Sequence, residues 1–161
     1  MSAQVPIESE SEMKPKRVLP PTYLFVSIGT MAALHFLLPL KRIILFPFNL
    51  LGAIPLALGI AFNLIADRAF KKNKTTVKPF EKSTVLITGG VFGISRHPMY
   101  LGFVLILTGV AILMGSLTPY LVIVAFVILM HAIFVRAEEE MLEETFGDAW
   151  LKYKKRVRRW I

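Results

Sequence analysis

The sequence predicts an all-α membrane protein with about four transmembrane helices, and three observations carry that expectation. Hydrophobic residues make up 55% of the 161 positions and the mean hydropathy is +0.60, more apolar than soluble domains of this size usually are. The charged residues, 19% of the chain, fall in blocks instead of being spread evenly. Between the blocks lie uncharged runs at 22–40, 43–66 and 98–135, of 19, 24 and 38 residues, where one helical crossing needs ~20. There is no cysteine, which excludes a disulfide framework and a thiolate metal site. No other metal-ligand spacing is evident.

Residues 1–20 read as a polar tail in which Glu8, Glu10 and Glu12 precede Lys14, Lys16 and Arg17. The run Thr22 to Leu40 is a first span, retained because no small-residue cleavage site follows and Lys41-Arg42 closes it. Ile43 to Ala66 is a second span, expected to kink because Pro47 and Pro55 interrupt it and Gly52 and Gly59 permit close helix approach. Residues 21–66 thus form a pair of N-terminal transmembrane helices. Asp67 to Arg96 is a basic connection with a short β-like run at Thr84 to Thr88; thirty residues is long for a passive connector.

The 38-residue run from Pro98 is about twice one crossing and must break near Gly115 to Pro119, where glycine and proline punctuate it. Two spans in a hairpin result, the second continuing into water from Arg136 to Leu142. Beyond Gly147, Trp150, Tyr153 and Val157 recur at spacings of three and four among basic residues, the pattern of an interfacial amphipathic helix. Four spans put both termini on one face. That face holds 17 of the 19 Lys and Arg, so the positive-inside rule makes it cytoplasmic. Because the net charge of +8 flanks apolar spans, anionic lipid headgroups are the expected polar partner and nucleic acid is not.

Two polar blocks meet at that cytosolic face. The first is Gly89-Gly90-Val91-Phe92-Gly93-Ile94-Ser95-Arg96-His97-Pro98-Met99-Tyr100-Leu101-Gly102, where Pro98 suits the first helical position and leaves backbone N–H groups facing a polar loop. The second is Arg136 with Glu138 and Glu139. A helix start and cations for an anion, aromatic faces for a cation, and carboxylates for an amine or ribose describe the needs of S-adenosylmethionine. The glycines do not make a dinucleotide fingerprint, since no strand–helix–strand unit surrounds them. His35 and His131, inside apolar runs without an obvious partner, read as packing residues. Three successive glutamates usually form a solvated face, so only Glu138 and Glu139 are candidates.

These blocks carry a resemblance. Ser83 to Phe92 running into Arg96-His97-Pro98-Met99-Tyr100-Leu101-Gly102, followed by Glu138-Glu139 with Leu142, Phe146-Gly147, Trp150, Tyr153, Val157 and Arg159, resembles the isoprenylcysteine carboxyl methyltransferase and phospholipid N-methyltransferase family over roughly residues 77–161. The resemblance implies a methyltransferase core at 67–161, with a cytosolic cofactor-binding loop, that methylates a lipophilic acceptor from the bilayer with S-adenosylmethionine. It implies cofactor contacts from Thr84, Val85, Leu86, Ile87, Phe92, His97, Pro98, Met99, Tyr100 and Glu138, with Arg136 and Glu139 as catalytic residues on the substrate side. Phe92 and Trp150 stand where the family often has tyrosine. Phe134 stands where the prenylcysteine enzymes carry a substrate-holding arginine, so Arg136 is the nearest replacement. A nicotinamide-dependent reductase of the sterol reductase type, a non-catalytic scaffold and a transporter subunit are the competing readings; the scarcity of intramembrane charge counts against the last.

Overall fold

A computed structural model describes residues 18–38, 40–75 and 83–161. The expected tail therefore lies almost wholly outside the described residues, as do Lys78 and Lys82. Among those described, the chain is all-helical with no strand. Helix α1, Pro20–Leu37, starts on two prolines in its first turn, positions whose N–H groups would have no helical partner anyway. A 3₁₀ turn, Phe48–Gly52, leads into α2, Ala53–Lys72. Helix α3, Pro98–Met114, again has proline in its first turn and ends at Gly115. There φ is +71°, a left-handed cap that glycine adopts without steric cost. Helix α4, Thr118–Met130, passes through a π turn, His131–Val135, directly into α5, Arg136–Phe146. Gly147 separates α5 from α6, Asp148–Arg156.

Two of these helices, Phe48–Lys72 with 25 residues and Thr118–Phe146 with 29, are long and apolar enough to cross a bilayer. Helices α1 and α3, of 18 and 17 residues, fall just below the ~20 needed for a full crossing. Leucine, isoleucine and phenylalanine side chains such as Phe25, Phe36, Leu121 and Ile128 stand exposed, a surface that lipid, not water, accommodates.

Helix α3 is central and packs against α1, α2 and α4, while α1 also lies along α4. Its contact with α2 is unusually close because glycine meets glycine twice. A Cβ on Gly52 would sit 2.5 Å from the Gly109 carbonyl oxygen, and a Cβ on Gly102 would sit 2.8 Å from that of Gly59. The opposite side of α3 meets α1 and α4 in a core of Leu24, Met31, Phe103, Leu107, Phe126 and Met130. At the end away from the polar blocks, the Ile43 N–H donates to the Gly115 carbonyl at 2.8 Å and the Leu117 N–H to that of Lys41 at 3.0 Å. The two far loops are thereby stitched together.

The structure corrects five expectations. The second span begins at Phe48 and runs to Lys72, not from Ile43 to Ala66, because Asp67 and Lys71 pair across one turn at 2.6 Å. Pro47 precedes that helix and Pro55 lies in the first turn of α2, where a proline leaves no intrahelical bond unmade. Thr84 to Thr88 is bent chain, not strand. His35 has a partner after all: its Nδ1 lies 2.7 Å from Ser116 Oγ. The apolar stripe Trp150, Tyr153 and Val157 exists, but it packs inward on Leu86, Leu142 and Phe146, leaving Lys152, Lys154, Lys155 and Arg156 outward.

Candidate active site

The site forms where the start of α3 meets the start of α5. His97 is the N-cap of α3, and its own N–H donates to Ser95 Oγ at 3.2 Å. Its side chain is 3% exposed and lies between two carboxylates: Nδ1 is 3.3 Å from Glu138 Oε2 and Nε2 is 3.3 Å from Glu139 Oε1. Adjacent residues on a helix normally point about 100° apart. Here both reach one ring, Glu138 at Nδ1 and Glu139 at Nε2, because the imidazole stands between them. Tyr100, one turn into α3, stacks beside His97 with centroids 5.8 Å apart and donates its hydroxyl to Glu138 Oε1 at 2.5 Å.

Glu139 is the most heavily engaged group. Arg159 donates to both its oxygens, from Nε at 3.0 Å and from Nη2 at 2.5 Å, the forked geometry that makes guanidinium–carboxylate pairs strong. Arg96 Nη1 comes within 3.1 Å of Oε1, near enough for charge pairing but off the line of a hydrogen bond. The Arg96 guanidinium is buried, lies 5.7 Å from the Trp150 ring centroid, and has an Nε without a protein partner among the described residues. For His97, burial alone favours the neutral ring, but hydrogen bonds and charge from Glu138 and Glu139 overcome that and hold its pKa above the ordinary 6.5.

A cavity of about 200 Å³ opens on these groups. Arg96, His97, Tyr100 and Glu138 give it a polar end; Phe70, Phe92, Met99 and Phe103, with Leu19 to Pro21 from the start of α1, give it an apolar wall. Of the residues expected from the sequence, Phe92, His97, Pro98, Met99, Tyr100 and Glu138 are thus brought together on one cavity. Thr84, Val85, Leu86 and Ile87 are not on its wall. Leu86 packs with Trp150 and Ile87 with Val91 and Phe92, while Thr84 and Val85 are exposed. Glu139 lies behind the cavity, and Arg136 is exposed and off its lining. The sequence marked Arg159 only as part of the family pattern and gave it no role at the site, because a basic run looks headgroup-facing, and it passed over Phe70, which no local pattern marks.

The loop carrying Phe92 is held from α6. The Tyr153 hydroxyl donates to the Phe92 carbonyl at 2.6 Å in a buried setting. Tyr153→Phe removes the donor and leaves a buried carbonyl unpaired, so it should cost about 1 kcal/mol. A thermal unfolding midpoint lower by about 2–4 °C in detergent would register that loss; an unchanged midpoint would show the bond to be dispensable.

A family profile for phospholipid methyltransferase matches residues 48–149. The chain is 35% identical over 63 residues to an uncharacterised protein of Haemophilus influenzae, spanning 39% of this chain and all of that one. It is 32% identical over 79 residues to the protein-S-isoprenylcysteine O-methyltransferase of Schizosaccharomyces pombe. To the Saccharomyces cerevisiae enzyme of the same name it is 38% identical over 80 residues. These two matches take in 47% and 48% of this chain and 32% of each enzyme, so it spans about a third of their length. The profile runs from the 3₁₀ turn ahead of α2 into α6, taking in both the His97 block and the Glu138-Glu139 block. By that match the chain belongs to the phospholipid methyltransferase family.

Proposed function

We propose that this membrane protein transfers a methyl group from S-adenosylmethionine to a lipophilic acceptor that reaches the cavity from the bilayer. The observation that carries the reading is the convergence of His97, Tyr100 and Glu138 on a cavity whose other wall is apolar. A polar, charged cofactor and a greasy acceptor need such a two-sided site. Family membership and the methyltransferases among its relatives support the reaction class.

The residues present fit the cofactor. The buried Arg96 Nε without a partner and the backbone N–H groups of the α3 start suit its carboxylate. Glu138, which among the described residues takes a tyrosine hydroxyl and an imidazole, suits its ammonium or ribose hydroxyls. Phe92 and Phe70, with ring centroids 5.3 Å apart, suit the adenine, and Thr84 to Ile87, which lie off the cavity lining, would act through Phe92, on which Ile87 packs. When bound, the cofactor supplies an activated methyl group, so the protein mainly has to align the acceptor and exclude water. A carboxylate acceptor needs no base. An amine would lose its proton toward the Glu138 and His97 pair, while Glu139 is occupied in holding its cations. Arg136, exposed at the membrane exit of its helix, suits the acceptor's headgroup.

The proposed arrangement is four spans, with α1 and α3 completing their crossings through flanking residues and with both termini cytosolic, as the distribution of Lys and Arg favours. The chemistry resides in residues 67–161, and Leu19 to Pro21, at the start of α1, supply part of the wall. The test is purified protein given methyl-labelled cofactor with either a prenylcysteine carboxylate or phosphatidylethanolamine vesicles, products being separated by mass. Label in one acceptor class is expected. No label in either, together with no binding of S-adenosylhomocysteine by calorimetry, would overturn the reading.

A further inference from the structure

The last five residues follow α6 without being helical, and they close over the base of the site. Ser95 Oγ donates to the Arg159 carbonyl at 3.1 Å, and the Arg96 N–H donates to the Arg158 carbonyl at 3.1 Å. Val157 is buried with Trp150 and Tyr153, and Trp160 packs on the core that includes Tyr100 and Phe134. This C-terminal segment is therefore tied to the loop ahead of α3 by backbone and side-chain bonds, and it delivers Arg159 to Glu139, where it shares Oε1 with His97 and alone takes Oε2 among the described residues.

We propose that Arg159 is a positioning residue that fixes the plane of the Glu139 carboxylate and, by neutralising it, sets how tightly His97 holds its second proton. With both fork contacts made, Glu139 can turn neither oxygen away, and Oε1 stays 3.3 Å from His97 Nε2. The groups facing the imidazole are Glu138 and Glu139 from α5, Tyr100 from α3 and, through Glu139, Arg96 from the loop. If Arg159 were absent, two carboxylates would face one buried ring with only Arg96 to offset them. The protonated imidazole would then be favoured further, since an opposing charge nearby raises a histidine's pKa. Arg159 therefore contributes twice, by geometry and by charge, and the two parts separate experimentally.

The sign follows from linkage. His97 is held above its ordinary value, so its contribution to stability is complete below about pH 6.5 and is lost as pH rises through the native value. Arg159→Gln keeps a donor for the carboxylate and drops the charge; Arg159→Lys keeps the charge and drops the fork. Thermal unfolding of the full chain in detergent, measured from pH 5.5 to 9.5, is the readout. In Arg159→Gln the fall of the midpoint with pH is expected to move upward by about one pH unit. In Arg159→Lys and in the exposed control Lys152→Ala it should stay where the wild type has it. Methyl transfer in Arg159→Lys should lose kcat more than KM, because the carboxylate is no longer held in plane. A uniform drop of the midpoint at every pH in Arg159→Gln, with no displacement of the fall, would reduce Arg159 to a structural tie and overturn the proposal. The connection to catalysis rests on the methyl-transfer reading, but the unfolding measurement does not. A displaced fall in a protein that methylates nothing would sink that reading and leave this one standing.

Discussion

Glu139→Ala is expected to unfold about 10 °C earlier than the wild type and to lose methyl transfer by at least about 10²-fold. The reason is what remains when the carboxylate goes. Arg96, with its side chain 8% exposed, and His97, with its side chain 3% exposed, would lie buried with their common counter-ion gone. Breaking a buried ion pair from one side costs about 3–5 kcal/mol, because the uncompensated charge stays in a poor solvent. Arg159, at the surface, would simply swing out. His97 would lose its Nε2 restraint and keep only Glu138, so its ring would be free to rotate away from the cavity. Glu140→Ala, on an exposed neighbour, should change the stability by no more than about 0.5 kcal/mol. A Glu139→Ala protein that melts with the wild type would mean that this cluster is not the ionic centre of the fold.

Gly102→Leu is the second large effect, expected to cost about 3 kcal/mol or more. A Cβ at this position already meets the Gly59 carbonyl oxygen at 2.8 Å and crowds the Asn63 side chain. The nearest obstacle is the Asn63 side-chain amide, which can swing aside, but the Gly59 carbonyl beyond it is backbone and cannot, so α2 and α3 must separate. That separation spreads to the pair at Gly52 and Gly109, seven residues along each helix. Because α3 carries Tyr100 in its first turn and His97 at its cap, parting it from α2 also displaces the polar end of the cavity. Activity should therefore fall with stability. Gly29→Ala, where an added Cβ meets nothing within 4 Å, should be neutral to slightly stabilising in a helix. Equal unfolding midpoints for Gly102→Leu and the wild type would show that the close approach is not a constraint.

Much of this architecture was legible from residue order. Uncharged runs marked the apolar helices, and Gly115 to Pro119 marked the turn between α3 and α4, because hydropathy and punctuation are local properties. The two polar blocks, which the fold brings to one cavity, were legible as well. The π turn at His131–Val135 was not, since no proline or glycine there marks a break. The inward packing of Trp150, Tyr153 and Val157 was missed for a related reason. Periodicity shows that a stripe is apolar but not whether protein or lipid covers it.

Composition and spacing thus decided that this chain is a helical membrane protein with a His97 block and a glutamate block at one end, because burial of apolar runs and solvation of charge follow from residue type. Which charges neutralise which was settled by the fold. Arg159 reaches Glu139 across 20 positions of chain and Arg96 reaches it across 43, and Arg136, three positions away, does not take part in the cluster. A carboxylate pairs with the cation that packing brings within hydrogen-bond reach, and sequence separation carries no information about that distance.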